Sequence, residues 1–164
     1  MAEMDLKKLS RGELIVAASG ILLLIFSFFD WFSLKVGGVK VAGANAWDVT
    51  LAWFAVVIGI VMAAQVIAEK LGGMSLKLGS IGWGQVHLVL GAVAFLLVLI
   101  KLIAGVDVVT SFLGRATGYS SGRSIGVFLG LVASAGLAFR GCEIAKERGE
   151  LPGFLKGVFG GSKS

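Results

Sequence analysis

Four long apolar runs alternate with short polar segments along the chain. The runs cover residues 12–31, 47–69, 80–101 and 122–142. An α-helix of about twenty residues rises about 30 Å, which matches the hydrocarbon core of a bilayer. The pattern predicts an all-α membrane protein with four antiparallel transmembrane helices in up-down order. Residues 1–11 and 143–164 are then an N-terminal segment and a tail outside the bilayer.

Small residues recur at every fourth position of the fourth run, at Gly122, Gly126, Gly130, Ser134 and Ala138. The second run has a shorter series of the same kind, Ala55, Gly59 and Ala63. In a bilayer the backbone must bond to itself, and small residues allow neighbouring helices to approach closely. We therefore expect both series to be helix-packing surfaces, with the second helix as a candidate partner of the fourth, within the chain or between protomers.

Composition supports the membrane assignment and predicts an orientation. The 164 residues are 57% hydrophobic and 15% charged, with a mean hydropathy of +0.93, whereas soluble domains average about 25% charged residues. Ten of the fifteen Lys and Arg residues lie in the N-terminal segment, the second loop and the tail, and five lie on the other side. Because positive charge favours the cytoplasmic side, we expect both termini in the cytoplasm and a multi-pass location in the cell (inner) membrane.

Few polar residues fall within the apolar runs. Gln65, Gln85 and His87 are expected in one layer near the inner boundary. Such a layer is either a proton-sensing or ligand-binding cluster, or a set of interhelical hydrogen bonds, and the second interpretation is favoured because such bonds are common between membrane helices.

A second set of polar residues marks the outer boundary. Asp30, Asp48 and Lys101 close or open three different runs at the same side of the membrane. We expect Lys101 to pair with one of the two aspartates in an ionic layer.

The loop after the first run has a near-mirror sequence around Gly37–Gly38, with Lys35 and Lys40 facing each other. A two-glycine turn suits a tight β-hairpin, although an isolated hairpin is marginal in water, so an ordered hairpin and an irregular loop both remain open. The tryptophans are expected to anchor the helix ends at the membrane surfaces; they are Trp31, Trp47, Trp53 and Trp83.

The residue inventory argues against several functions. The only histidine lies in an apolar run with no carboxylate beside it, a single cysteine excludes an internal disulfide, and no phosphate-binding motif occurs. The sequence therefore predicts no enzyme, no metal, no cofactor and no nucleic-acid partner.

Three segments carry a family resemblance. FFDWFSL ends the first run, NAWDV opens the second, and GRSIGVFLGLVASAGLAFRG forms the fourth. They resemble a family of uncharacterised bacterial four-helix (tetraspan) integral membrane proteins, over most of residues 10–142. The resemblance implies the architecture and no particular activity.

The expected function follows from these observations. It is a non-enzymatic membrane protein that acts as an assembly, accessory or scaffold component through close helix contacts. Its partners are then the lipid bilayer and a second copy or another membrane protein. The alternative is a small transporter or channel subunit with a path between protomers.

Overall fold

The computed structural model describes residues 11–70, 82–105 and 119–147, together with residues 149 and 153. Within these ranges it contains four helices and a three-stranded sheet, in the order α1 (Arg11–Phe26), β1 (Phe32–Val36), β2 (Val39–Ala44), a 3-10 turn (Ala46–Asp48), α2 (Ala52–Lys70), α3 (Trp83–Ala104), β3 (Tyr119–Arg123) and α4 (Ile125–Glu147). The chain is thus mostly helical, as expected, but the all-α prediction is wrong because of the sheet. The N-terminal segment 1–10 and most of the predicted tail lie outside the described residues.

The ends of the helices differ from the limits of the apolar runs. Helix α1 stops at Phe26, because the backbone then changes to the 3-10 type of hydrogen bond, in which each N–H bonds to the third residue before it. These bonds run from Phe28 N to Ile25 O and from Phe29 N to Phe26 O. Helix α2 begins only at Ala52, and α4 extends to Glu147, beyond the predicted limit of 142. Apolar content alone could not set these limits, because a buried strand or turn is as apolar as a buried helix.

The helices pack in antiparallel pairs through small residues. Gly20 of α1 faces the Gly59 backbone and the Ala63 side chain of α2. In the second pair, a Cβ on Gly91 of α3 would lie 2.7 Å from the Leu137 carbonyl oxygen of α4. Helix α4 packs against both α3 and α1, and α2 packs against both α1 and α3. The four helices therefore enclose one common core.

The sheet lies where α1 and α3 end and where α2 and α4 begin, and we call this the sheet end of the bundle. Its strand order is β2-β1-β3, with both pairs antiparallel. Gly37 and Gly38 form the hairpin turn with φ of +56° and +86°, conformations that a type I′ turn requires. The hairpin is ordered, and Lys35 faces Lys40 as the sequence indicated.

Strand β3 was not predicted. It pairs with β1 in the register Phe32 to Arg123, so its partner lies about ninety positions earlier in the chain. The segment Tyr119–Arg123 contains Ser, Gly and Arg and has no apolar alternation. Its strand conformation therefore depends on the long-range pairing.

The outer surfaces of the helices are apolar. Large exposed side chains occur on all four helices and include Ile25, Val61, Leu96 and Phe128. Among the described residues, three helical segments are long and apolar enough to cross a membrane: Ala52–Glu69, Trp83–Ala104 and Ile125–Glu143. Because a soluble bundle would have polar outer faces, this distribution indicates a membrane protein.

The α3–α4 contact leads to a stability prediction. Gly91→Ala is expected to destabilise the protein by about 1–3 kcal/mol, because the added methyl group would collide with the α4 backbone. At an open helical site Gly→Ala would instead stabilise by about 1 kcal/mol. The control is Val132→Ala, at a side chain that is 72% exposed on α4. Thermal unfolding in detergent measures both variants, and a Gly91→Ala variant as stable as the parent would contradict the close approach.

Candidate functional site

Trp31 joins the sheet to the helices. Its side chain is fully buried, and its indole Nε1 donates to the carbonyl of Phe26 at 2.9 Å. Its backbone N–H donates to Ala44 at 2.8 Å, and its carbonyl accepts from Ser124 N at 2.9 Å. The expectation that Trp31 is a surface anchor is therefore wrong, since this residue ties α1, β2 and the start of α4 together in the core.

Two glycines of the predicted fourth-helix series, Gly126 and Gly130, pack against the indole ring of Trp31. A Cβ on Gly130 would lie 2.5 Å from the indole Cζ2 atom, and a Cβ on Gly126 would lie 2.6 Å from both the indole Cδ1 and the Asp30 carbonyl oxygen. The close approach exists, but its partner is an aromatic ring and a turn of the chain, not another helix. Gly122 is not helical at all, because it pairs with Ser33 in the sheet.

The other members of this series have different environments. Ser134 is buried and its hydroxyl donates to Leu131 O in its own helix at 2.9 Å. Ala138 faces Gly91 of α3, and a Cβ on Gly91 would lie 3.0 Å from the Ala138 Cα. Close packing at Ala138 thus involves α3 and not the second helix.

The α2 series of Ala55, Gly59 and Ala63 also lies within the chain. Ala55 and Ala63 are buried, and Gly59 and Ala63 face Gly20 of α1. On the α4 side, the Leu137 Cδ1 would lie 3.3 Å from a Cβ on Gly59. Within the protomer, α1–α2 and α3–α4 contacts therefore take the place of the expected pairing between the α2 and α4 series.

The predicted outer ionic layer has different partners. Asp30 pairs with Lys40 of the hairpin, with 2.5 Å between Lys40 Nζ and Asp30 Oδ2. Asp48 accepts a hydrogen bond from the Asn45 backbone at 3.1 Å, as part of a capping box. Lys101 is buried near the end of α3. Among the described residues no ion pair joins Lys101 to either aspartate, and the printed partner of each aspartate lies close to it in sequence.

Arg123 has a role that sequence analysis missed. Its guanidinium donates from Nε to Leu102 O at 2.5 Å and from Nη2 to Ile103 O at 2.9 Å. These are terminal carbonyls of α3, and a cation there is favoured by the helix dipole. Strand β3 thus supplies a cap to α3. This cap could not be predicted from the sequence, because the pairing of β3 in the sheet brings Arg123 to the end of α3.

The predicted polar layer lies at the end of the bundle opposite the sheet. Gln65 and His87 are buried, whereas Gln85 is half-buried at the start of α3. Gln65 Nε2 donates to Glu69 Oε2 of its own helix at 2.6 Å. The His87 ring lies beside that of Trp83, with 6.1 Å between centroids. The bond made by the Gln65 nitrogen is therefore within α2, not between helices.

A buried carboxylate belongs to the same end of the bundle. Glu13 on α1 is only 5% exposed, although the sequence placed it simply at the start of an apolar run. Its position was visible in the sequence, but its burial depended on how α1 packs. No group of three His, Cys, Asp or Glu side chains that could hold a metal ion occurs among the described residues.

Comparison of the chain with protein-family models, with curated proteins and with solved structures found no match.

The contact between Gly130 and the indole of Trp31 can be tested with a double-mutant cycle. Gly130→Ala alone should destabilise the protein by about 1–3 kcal/mol, because its methyl group would overlap the indole. In a Trp31→Phe background the same change should cost less, because the smaller ring vacates that position. The measurement is thermal unfolding of all four proteins in one detergent. Additivity within about 0.5 kcal/mol would contradict direct contact.

Proposed function

We propose that the protein is a four-span membrane protein that acts without catalysis, as an assembly, accessory or scaffold component of the cell membrane. The fourth span in this proposal is α1. Its 16 helical residues are followed by a tight turn, and the apolar surface continues through this turn to Phe29. Its exposed side chains, such as Leu14 and Ile21, are as apolar as those of the other helices. The family of tetraspan proteins suggested by the sequence is part of the same proposal.

One observation carries the functional proposal: the close-packing residues are used inside the protomer, while the hairpin is left exposed. Gly20, Gly91 and Gly130 each face another part of the same chain. The outer helix faces present large apolar side chains, which lipid can cover without a specific partner. This moves the proposed partner surface away from the helix series and toward the sheet end.

The exposed hairpin has the properties of such a surface. Five of the six residues of β2 are exposed, and Val39 and Val41 are 68% and 58% accessible. Because β2 is at the edge of the sheet, one side of its backbone faces away from β1. Exposed apolar side chains on an edge strand are a common feature of protein interaction sites.

The alternative function, a transporter or channel subunit, has less support. A path between protomers would be lined by outer helix faces, and the large exposed residues there are apolar, including Ile100, Val132 and Phe139. Within the protomer, the sheet end is filled by Trp31 and Phe32, both fully buried. Neither location offers a polar track across the described helices.

Site-specific photocrosslinking distinguishes the two surfaces. A benzophenone amino acid replaces Val39 on the hairpin or, as the matched control, Val132 on α4, since both side chains are largely exposed. After irradiation of intact membranes, we expect a protein adduct of discrete mass from position 39 and none from position 132. An adduct from position 132 alone would favour a helix-mediated partner, and no protein adduct from either would contradict the scaffold proposal.

The proposed topology has an independent test. Cys142, the only cysteine, lies on α4 at the end opposite the sheet and is half-buried. A membrane-impermeant maleimide should label it only after the cells are permeabilised, whereas a permeant maleimide should label it in intact cells. In a Cys142→Ser background, Lys40→Cys on the exposed hairpin should react from outside. The reverse pattern would invert the orientation.

A further inference from the structure

Strand β2 presents a free edge at the sheet end of the bundle. Among the described residues, only β1 pairs with the backbone of Val39–Gly43. Because an open sheet edge is not tolerated in hydrocarbon, the hairpin lies outside the lipid core, where another strand has access to it. An unpaired edge with exposed residues is a template for pairing with a further strand. The charges along β2 indicate which strand fits.

Asp30 and Lys40 form an exposed ion pair on one face of β2. A Cβ on Gly43 would lie 2.6 Å from Asp30 Oδ2, so the carboxylate lies directly over Gly43. The same oxygen accepts from Lys40 Nζ at 2.5 Å, and the Asp30 and Lys40 side chains are 44% and 51% exposed. An ammonium group has three donors and a carboxylate accepts several bonds, so each partner retains capacity for a second bond to an opposite charge.

Two β2 strands are complementary to each other in charge. When they pair antiparallel over all six residues, Lys40 of one copy lies opposite Gly43 of the other, and Val41 lies opposite Ala42. Residues that are directly opposite project to the same face of the sheet. Lys40 therefore meets the Asp30 carboxylate that lies over Gly43 of the second copy. Two-fold symmetry repeats this contact, so that four charges of alternating sign lie across the interface.

Charge and symmetry favour this register over its neighbours. A shift toward the hairpin turn brings the two Lys40 side chains opposite each other, and like charges at directly opposite positions are destabilising. Lys35, which faces Lys40 within the hairpin, lies one strand away from the edge. Val41 forms a bulge, since the register with β1 passes over it, and two-fold symmetry gives both β2 strands the same local twist. A lysine on an edge strand normally opposes pairing, but here the second copy supplies the carboxylate that offsets it.

We propose that the hairpin joins two copies of this chain through β2, so that three strands from each copy form one sheet. The proposal rests on the proposed function, in which the hairpin is the partner surface, and it names a second copy as that partner. The two-fold axis of such a pair is perpendicular to the sheet. Because Phe32 on the inner face of the sheet belongs to the common core, the sheet covers the end of the bundle and the axis runs along the bundle. Two copies inserted into the membrane in the same orientation satisfy this symmetry.

The proposal is tested with the full-length protein in phosphatidylcholine liposomes. Copies that carry a donor or an acceptor dye on Cys142, the only thiol, are mixed, and energy transfer is followed as the protein is diluted in lipid. We expect a saturable dimer of the parental protein, and Lys40→Asp or Asp30→Lys should weaken it at least about tenfold through like-charge repulsion. The matched control Lys146→Asp makes the same charge change on an exposed residue of α4 and should leave the dimer unchanged. Energy transfer no greater than random proximity in the parental protein overturns the proposal.

Mixing the charge variants separates a contact between copies from a role within the hairpin. Lys40→Asp copies mixed with Asp30→Lys copies regain opposite charges at both contacts, so their affinity should return to within about threefold of the parental value. If a single variant does not fold, the chain with both substitutions keeps its own ion pair. It should pair with itself but bind the parental chain at least about tenfold more weakly. Parental affinity in the single variants, no recovery in their mixture, or equal pairing of the parental and doubly substituted chains overturns the proposal.

Photocrosslinking from position 39 distinguishes this proposal from the scaffold proposal on which it rests. In the paired register Val39 lies opposite Ala44 of the second copy, so the expected adduct has twice the mass of the protein. An adduct of another mass, without energy transfer in liposomes, overturns the pairing of two copies but leaves the hairpin as the surface for a different partner. The absence of any adduct from position 39, together with the absence of energy transfer, contradicts both proposals.

Discussion

The contact of Trp31 with Gly126 and Gly130 is the constraint on which the rest of the structure depends. The indole occupies space that any side chain at Gly130 would fill, and its N–H closes the end of α1 by bonding Phe26 O. The backbone of the same residue is bonded to Ala44 on one side and to Ser124 on the other. One residue thereby sets the position of the hairpin relative to α1 and α4. The sheet and the helices are for this reason a single packed unit at that end.

A second constraint comes from the solvent. In lipid there is little gain from burying apolar side chains against each other, so helices associate where their backbones approach closely. The protein meets this requirement with Gly20 between α1 and α2 and with Gly91 between α3 and α4. Large apolar side chains then remain for the outer faces. This arrangement explains why the small residues do not by themselves mark a surface for a partner.

The two ends of the bundle differ in chemistry. At the sheet end, charges have local partners, with Lys40 on Asp30 and Arg123 on the last carbonyls of α3. At the opposite end, the Gln65 side-chain nitrogen donates to Glu69, while its side-chain oxygen accepts no hydrogen bond from a described residue. The proposed partner surface on the hairpin therefore lies at the end of the bundle where the charged side chains have local partners. A variant at Val39 is not expected to alter the environment of Gln65.

The sequence by itself predicted the membrane character and the four helices, and it marked the Gly37–Gly38 turn while leaving open whether the hairpin is ordered. Long apolar runs and the Gly37–Gly38 pair act locally, through bilayer thickness and through the positive φ of a two-residue turn. Tertiary structure alone decided the remaining features, namely strand β3, the burial of Trp31, the capping of α3 by Arg123 and the partner of Asp30. Each depends on a contact between segments that are distant in sequence, or on a turn that brings two parts of the chain together. A local sequence pattern contains no information about such contacts. The glycine series illustrates the difference, since its spacing indicated close packing but the identity of the packed group, an indole, was decided by the fold.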